Sequence, residues 1–345
     1  MRLRNYIVFL VIPMIGLVSY SQDANFSMKS ANLLYFNPGS CASTSDVKAT
    51  FIHRDQWRAV GAPYKTSTLA VEGKIADKKN RYQKFFPAVG MYFINDKFGI
   101  SDVTTNQLNA VFSGILQTSD MGSFSAGITG GYGNRSSGLK SLTWGNQYDG
   151  AYNSSIPSGE VFTFTRYSYF DVGAGIHYHY GLDESYMRSN NGIQFDAGYS
   201  VFHLGVARNS FVYDTLRTGI RQTAYASLEF GFERTKMTVI PELFYQRQSK
   251  FQEFQFGTGL RYLLTEESKH TGFISAMAVQ GGIYHRWADA LIFNFKLFYA
   301  NYTVGLSYDI NVSNLRKVSN YRGGFEVYLG FQAPNPFTKV TRSRI

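Results

Sequence analysis

Two histidines have the residue type and spacing most suggestive of a chemical site. His177 and His179 lie at positions i and i+2 within the run VGAGIHYHYGL. In a β-strand, this spacing places both imidazoles on the same side, about 7 Å apart. A zinc ion would need a third ligand from a neighbouring strand, and the sequence does not identify one. The pair is interpreted as two polar side chains on the hydrated face of a strand, and an enzyme that uses either histidine is the alternative.

The sequence contains none of the short motifs that mark common catalytic or metal-binding sites. The sequence has no G-x-S-x-G elbow and no H-E-x-x-H, C-x-x-C or acidic calcium-binding loop. The glycine run Gly130–Gly133 lies within alternating strand-like sequence and opens no helix, so it does not predict phosphate binding. The only cysteine, Cys41, excludes an internal disulfide. We therefore predict no catalytic residue, no cofactor and no metal site.

Charged side chains on the polar faces of the candidate strands are the remaining candidates for a functional site. They are Arg221, Glu229, Glu233, Glu253, Arg261, Asp309 and Glu326. Buried charges must be paired or hydrated. We predict that these residues form cross-strand ladders that hold a sheet together, and a path that binds or conducts a ligand is the alternative.

The elements that would position these residues are long strands of strictly alternating polarity. In Tyr302–Ser313, YTVGLSYDINVS, every second residue is apolar or aromatic and each residue between is small or polar; Val172–Leu182 and Gln252–Leu264 repeat the pattern. Such alternation predicts half-buried strands. The runs reach ten residues or more, whereas soluble strands are usually about 5–6 residues and bilayer-spanning strands about 9–11.

Glycine and tyrosine have characteristic positions in these strands. Glycines such as Gly173 and Gly175 occupy the polar face, which indicates a sharply curved wall or a second backbone close by. Tyrosines occur near strand ends and predict aromatic girdles at the membrane interfaces. These tyrosines are Tyr178, Tyr180, Tyr262, Tyr299 and Tyr302.

About fifteen segments have this character, among them 141–153. Single-chain bacterial barrels have even strand numbers, so one segment is expected to be a plug or loop piece. The predicted fold is an all-β transmembrane antiparallel β-barrel of about 14 strands, of the outer-membrane type. A soluble two-sheet sandwich is the alternative.

The composition is consistent with a surface that is only partly in contact with water. Charged residues make up 17% of the chain and aromatic residues 17%, against about 25% charged in typical soluble domains. The net charge of +10 comes from scattered basic residues, which favours contact with anionic lipid headgroups and does not indicate a nucleic-acid partner.

The first residues have the layout of a secretory signal peptide. Arg2 and Arg4 precede an apolar run from Tyr6 to Val18, and small and polar residues follow. The predicted organisation is a signal peptide at 1–21, an N-terminal segment at 22–45 that lies in the periplasm or plugs the barrel, and a barrel at 46–345. The predicted location is the bacterial outer membrane.

Several motifs, in a consistent order, resemble one known family. The motif residues are Leu34, Tyr35, Asn37 and Pro38 in NLLYFNPG; Arg54, Gln56, Trp57 and Pro63 in HRDQWRAVGAP; Tyr308 and Asp309 in GLSYD; and Glu326 in GGFEVYLGF. From about residue 22 to residue 333, the chain resembles the PorP/SprF family of outer-membrane proteins of the type IX secretion system.

This resemblance implies a barrel that works in protein secretion and transport, and in gliding motility, without catalytic residues. The implied partners are outer-membrane lipid, periplasmic secretion components and the C-terminal domain of a secreted adhesin or effector. The resemblance assigns structural or partner-binding roles to Asn37, Pro38, Arg54, Gln56, Trp57, Tyr308, Asp309 and Glu326. An outer-membrane diffusion channel for small solutes is the alternative function.

Overall fold

A computed structural model describes most of the chain. The described residues are 23–58, 63–75, 84–138, 142–159, 166–181, 192–205, 217–232, 235–265 and 275–333. The predicted signal peptide at 1–21, residues 59–62 of the HRDQWRAVGAP motif, and Glu233 lie outside these ranges.

Fourteen antiparallel strands, each pairing with its neighbours in sequence, form one closed barrel. Their bounds are β1 Val47–Gln56, β2 Tyr64–Lys74, β3 Phe85–Phe98, β4 Val103–Gln117, β5 Gly122–Ser136, β6 Arg166–Tyr180, β7 Ile193–Phe202, β8 Arg221–Gly231, β9 Met237–Gln248, β10 Phe251–Thr265, β11 Met277–Arg286, β12 Ala290–Tyr299, β13 Tyr302–Asn311 and β14 Arg322–Ala333. β1 pairs with β14 from Val47↔Ala333 to Gln56↔Gly324, which closes the sheet. Closure pairs the backbone N–H and C=O groups that two edge strands would otherwise leave free. It confirms the predicted barrel.

One of the fifteen candidate segments is a loop piece, as expected, and it is 141–153. Residues 141–153 lie in the connection between β5 and β6, where the described part contains a short 3₁₀ helix at Gly145–Gln147 and an isolated Tyr148↔Tyr152 bridge. Its tyrosines and tryptophan have strand propensity. However, the closed ring already pairs β5 with β6 directly, so no edge remains for another strand.

The apolar faces of the strands point outward, to lipid. In β13, Leu306 and Tyr308 are 45% and 43% exposed, whereas Ser307 and Asp309 are 2% exposed. Alternation of exposed and buried positions also runs through the other strands of the ring, and large apolar side chains are common among the exposed ones. A two-sheet sandwich would bury the apolar faces against each other, so this alternative was wrong.

The two ends of the barrel differ. We call the end where β1 begins and β14 ends the terminal mouth, and the opposite end the loop mouth. The two longest connections, 137–165 and 203–220, are both at the loop mouth. The five tyrosines predicted for the girdles all face outward and lie toward the terminal mouth, where they form one aromatic band. In the described residues, no helix has the length and apolarity needed to cross a membrane.

Residues 23–45, which we call the N-terminal segment, lie inside the barrel. The segment contains short 3₁₀ turns at Lys29–Asn32 and Pro38–Ser40, with the single-turn helix α1 at Leu33–Phe36 between them. A second single-turn helix, α2 at Arg316–Ser319, lies between β13 and β14. From residue 26 to residue 45, all but two residues of the segment are buried. Its apolar side chains join inward residues of the wall in one core.

We predict that a lysine in place of Leu306 lowers the stability of the folded barrel by about 2–4 kcal/mol, because this position lies halfway along β13 and faces the bilayer midplane. Denaturant titration of the chain in phospholipid vesicles measures the change. Val312→Lys is the matched control. This exposed residue lies just beyond the end of β13, where a charge costs about 0–1 kcal/mol. Equal losses for the two variants would contradict the lipid-facing assignment.

Candidate functional site

The turn Asn37–Gly39 of the N-terminal segment packs directly on a glycine surface of the wall. Gly127 of β5 and Gly175 of β6 are register partners. A Cβ at Gly127 would lie 2.6 Å from the Pro38 carbonyl carbon and 2.9 Å from the Gly39 nitrogen. A Cβ at Gly39 would lie 2.8 Å from the Gly175 carbonyl oxygen. Only glycine allows such close backbone approach, so these inward glycines form a surface that accepts the segment.

Hydrogen bonds from Asn37 fix this turn against the wall. The Asn37 amide donates to the Ile176 carbonyl oxygen at 2.8 Å and to the Tyr225 hydroxyl at 3.1 Å. Its side-chain oxygen accepts from the Gly39 backbone at 2.8 Å. Ser125 of β5 also donates to the Gly39 carbonyl oxygen at 2.6 Å. The Asn-Pro motif thus positions a turn in the middle of the lumen.

A buried charged network binds the start of the segment. We call it the Ser27 cluster; its members are Ser27, Lys29, Arg54, Glu253, Arg286, Asp309 and Glu326. The Ser27 hydroxyl donates to Asp309 at 2.7 Å and accepts from Arg54 at 2.6 Å. The two oxygens of Glu326 accept the backbone N–H groups of Ser27 and Met28 at 2.8 and 2.9 Å.

Charges within the Ser27 cluster balance. Its three basic and three acidic side chains form ion pairs that join the wall to itself and to the segment: Arg54–Asp309 at 2.8 Å, Arg54–Glu326 at 3.4 Å, Arg286–Asp309 at 3.2 Å, Arg286–Glu253 at 3.5 Å and Lys29–Glu253 at 2.7 Å. Burial lowers the pKa of Lys29 to about 8, although Glu253 favours its charged form. A network with matched charges can remain buried without an external counter-ion.

A second polar group, the Asp23 cluster, lies next to the loop mouth. It contains Asp23, Tyr35, Asp171, His203 and Arg221. His203 contacts Asp171 at 2.9 Å and Asp23 at 2.6 Å. Arg221 pairs with Asp23 at 3.0 Å and donates to the Tyr35 hydroxyl at 2.7 Å. The cluster therefore ties the first described residue of the segment to the wall.

In the Asp23 cluster, the charged forms of Asp23 and His203 stabilise each other. Burial disfavours the charged imidazole, but the carboxylates of Asp23 and Asp171 outweigh it and raise the pKa of His203 to about 9. Burial likewise opposes ionisation of Asp23, and His203 and Arg221 nevertheless hold its pKa well below the usual value. At neutral pH the cluster is therefore charged, with His203 protonated.

Most of the residues singled out by the sequence come together in the lumen. Arg54, Asp309 and Glu326 belong to the Ser27 cluster, and Gln56 accepts a hydrogen bond from Arg54 at 2.7 Å. Trp57 lies at the loop mouth, with a positive φ of 60° and its ring against Tyr64. Tyr308, in contrast, faces outward and contributes nothing to the lumen.

The predicted ladders are present, but they also bind the segment. Arg54 and Glu326 are cross-strand register partners, and Arg261 of β10 pairs with Glu229 of β8. Glu253 and Arg221, expected in ladders, contact Lys29 and Tyr35 of the segment. The inward charges of the wall therefore form cross-strand ladders and also bind a ligand. That ligand is the N-terminal segment of the same chain.

Sequence reasoning missed Ser27, Lys29, Asp23, His203 and Arg286. Arg286 could have been found, because it shares the inward face of β11 with Gln280 and Tyr284. The others lie outside strands, where no alternation identifies the face.

The two adjacent histidines are part of a wall contact. His179 contacts Asp196 at 2.8 Å, and His177 contacts the Tyr225 hydroxyl at 2.8 Å. Within the described ranges, no group of three or more His, Cys, Asp and Glu side chains is placed to hold a metal ion. The observed partners of His177 and His179 are those of buried polar side chains on an inward face.

Comparison with known protein families identifies the family of this chain. A family model described as type IX secretion system membrane protein PorP/SprF matches residues 18–331. A comparison with curated protein sequences found no match.

Several solved structures show a distant similarity to this chain. A TodX monoaromatic hydrocarbon channel mutant has 9% identity and a TM-score of 0.48, over 88% of this chain and 94% of that chain. A BamA from Haemophilus ducreyi lacking POTRA domains 1–3 has 7% identity and a TM-score of 0.42, over 83% and 70%. A Pseudomonas aeruginosa FadL homologue has 9% identity and a TM-score of 0.42, over 86% and 92%.

We predict that Gly127→Ala displaces the N-terminal segment from the lumen, because the new methyl group would overlap the Pro38 carbonyl group and the Gly39 nitrogen. Trypsin cleavage after Lys29, followed by mass spectrometry, measures this displacement, since Lys29 is buried in the bound state. Gly130→Ala is the control: it lies in the same strand, and a Cβ there meets nothing within 4 Å. Cleavage at the wild-type rate in Gly127→Ala would refute the glycine-surface interpretation.

We predict that Asp309→Asn weakens binding of the segment by about 2–4 kcal/mol, because Arg54 and Arg286 lose a buried counter-charge and Ser27 loses a charged acceptor. Faster cleavage after Lys29 is again the readout. Asp102→Asn is the control, since its pair with Lys97 is exposed and such pairs contribute little. Unchanged protection in Asp309→Asn would mean that the Ser27 cluster does not hold the segment.

Proposed function

The chain belongs to the PorP/SprF family of type IX secretion system membrane proteins, and from this premise we propose that it acts as an outer-membrane binding scaffold. In this proposal, the barrel binds periplasmic secretion components, a secreted surface protein, or both, for export or display. The terminal mouth faces the periplasm and the loop mouth faces outward, as in barrels whose longer loops are extracellular. The fold and family are those of a membrane protein in secretion, and no catalytic step is assigned.

Occupation of the lumen by the N-terminal segment is the observation that carries this proposal. An open diffusion channel needs a continuous hydrated path lined by polar groups. Here the segment covers inward polar groups of the wall, from the Asp23 cluster at the loop mouth to Ala42, which donates to Glu72 of β2 near the terminal mouth at 2.8 Å. A barrel whose polar interior is already bound is suited to binding at its mouths and outer surface.

Protein partners would meet an aromatic surface at the loop mouth. The connections 137–165 and 203–220 join strands at the loop mouth, and Trp57, Tyr64 and Phe98 pack together near the same rim. Aromatic side chains are enriched where proteins bind each other. Exposed loops supported by a rigid barrel provide the positioned contacts that recognition requires.

We predict that affinity purification of the tagged chain from crosslinked native membranes recovers type IX secretion components or a secreted surface protein. Cells carrying the untagged chain give the background. Recovery of lipid and general outer-membrane proteins alone would contradict the scaffold. Conductance in planar bilayers separates the channel alternative: the purified chain should carry no steady current, and a steady ion current through the intact chain would favour a diffusion channel.

A further inference from the structure

A cavity remains between the N-terminal segment and one half of the wall. Its volume is about 120 Å³. Lys48, Thr303 and Gln332 line it close to the terminal mouth, while Tyr225 and Phe244 line its inner part. A cavity of this size accepts a small aromatic group.

Lys296 of β12 lines this cavity and has no partner among the described residues. Its side chain is buried, with the residue 8% exposed, and across the described part of the chain it forms no ion pair and no hydrogen bond. Other buried basic residues of the lumen do have partners: Lys29 pairs with Glu253, and Arg221 with Asp23. The Lys296 ammonium group faces the cavity and has no counter-charge among the described residues, so Lys296 is where an external anion would bind most favourably.

Two further polar groups lie in the same row as Lys296. Lys296 is the register partner of Gln280 on β11, and Gln280 is the register partner of Arg261 on β10. All three line the cavity. The Gln280 amide makes no hydrogen bond in the described ranges and can donate to an oxygen ligand. Ammonium, amide and guanidinium groups in one row present donors to a single anionic group.

The rest of the lining restricts the ligand. Glu229 pairs with Arg261, and Glu242 also faces the cavity. These carboxylates disfavour a multiply charged group such as a phosphate, since like charges at close range repel. Leu33, Phe244 and Phe298 add apolar surface beside the row. We propose that the cavity binds a carboxylate attached to an apolar or aromatic body, with Lys296 as its counter-ion.

Binding of 3-phenylpropionate to the purified full chain in detergent, measured by isothermal titration calorimetry, tests this proposal. The neutral 3-phenylpropionamide is the matched ligand. We expect the acid to bind and the amide to bind at least about tenfold more weakly. We expect Lys296→Met to weaken binding of the acid at least about tenfold, because a buried charge pair is lost. Equal binding of acid and amide, or unchanged binding by Lys296→Met, would overturn the proposal.

Two control variants separate loss of the site from loss of the fold. Lys296→Arg keeps the positive charge and should retain binding of the acid. Lys97→Met removes an exposed lysine that pairs with Asp102 at the loop mouth and should bind as the wild type does. Should Lys296→Met fail to form the barrel, loss of acid binding in the folded Gln280→Leu variant provides the same test, and retention of binding there would count against the site.

The source of the carboxylate is distinguished by a second ligand pair. Acetyl-Gly-Gly-Phe with a free carboxylate carries the same chemistry at the end of a polypeptide, and its C-terminal amide is the control. Tighter, Lys296-dependent binding of the peptide acid supports a polypeptide terminus as the ligand. Binding of 3-phenylpropionate alone supports a free organic acid, and binding of neither acid overturns the site.

Discussion

The need to satisfy every backbone N–H and C=O group in lipid determines this structure. A sheet in hydrocarbon can do so only by closing on itself, and here β1 closes on β14 over ten register pairs. Closure then fixes the chemistry of both faces, since alternate side chains point to lipid and to the lumen. Many inward residues are consequently polar, charged or glycine, and the polar groups among them in turn need partners.

The N-terminal segment supplies many of those partners. Its backbone N–H groups at Ser27 and Met28 bind Glu326, its Lys29 pairs with Glu253, and its Asn37–Gly39 turn packs on wall glycines. The wall and the segment are therefore complementary in charge and in shape. Positive and negative side chains balance in the Ser27 cluster, where the absence of the segment would leave polar groups without their partners.

Alternation of residue types was sufficient to predict the barrel, because a period of two assigns each residue of β13 to a face. Alternation was not sufficient to predict which residues contact each other in the lumen. Ser27 and Glu326 are 299 residues apart in sequence, and no local pattern relates them. The glycines were recognised as a sign of curvature or of a nearby backbone, and the structure shows the second at Gly127 and Gly175. Tyr308 shared a motif with Asp309, but successive strand residues face opposite ways, and only Asp309 reaches the lumen.

The N-terminal segment is covalently continuous with β1 through Asp46. A tethered ligand acts at an effective concentration in the millimolar range for short connections, so it rebinds far faster than a free molecule can enter. Any polypeptide that used the inner wall would have to outcompete this built-in competitor, and the barrel would reseal by itself once that polypeptide had left. Because the segment is tethered, a polypeptide can enter the lumen only if it binds the inner wall tightly enough to displace the segment. The segment then closes the lumen again without an energy source.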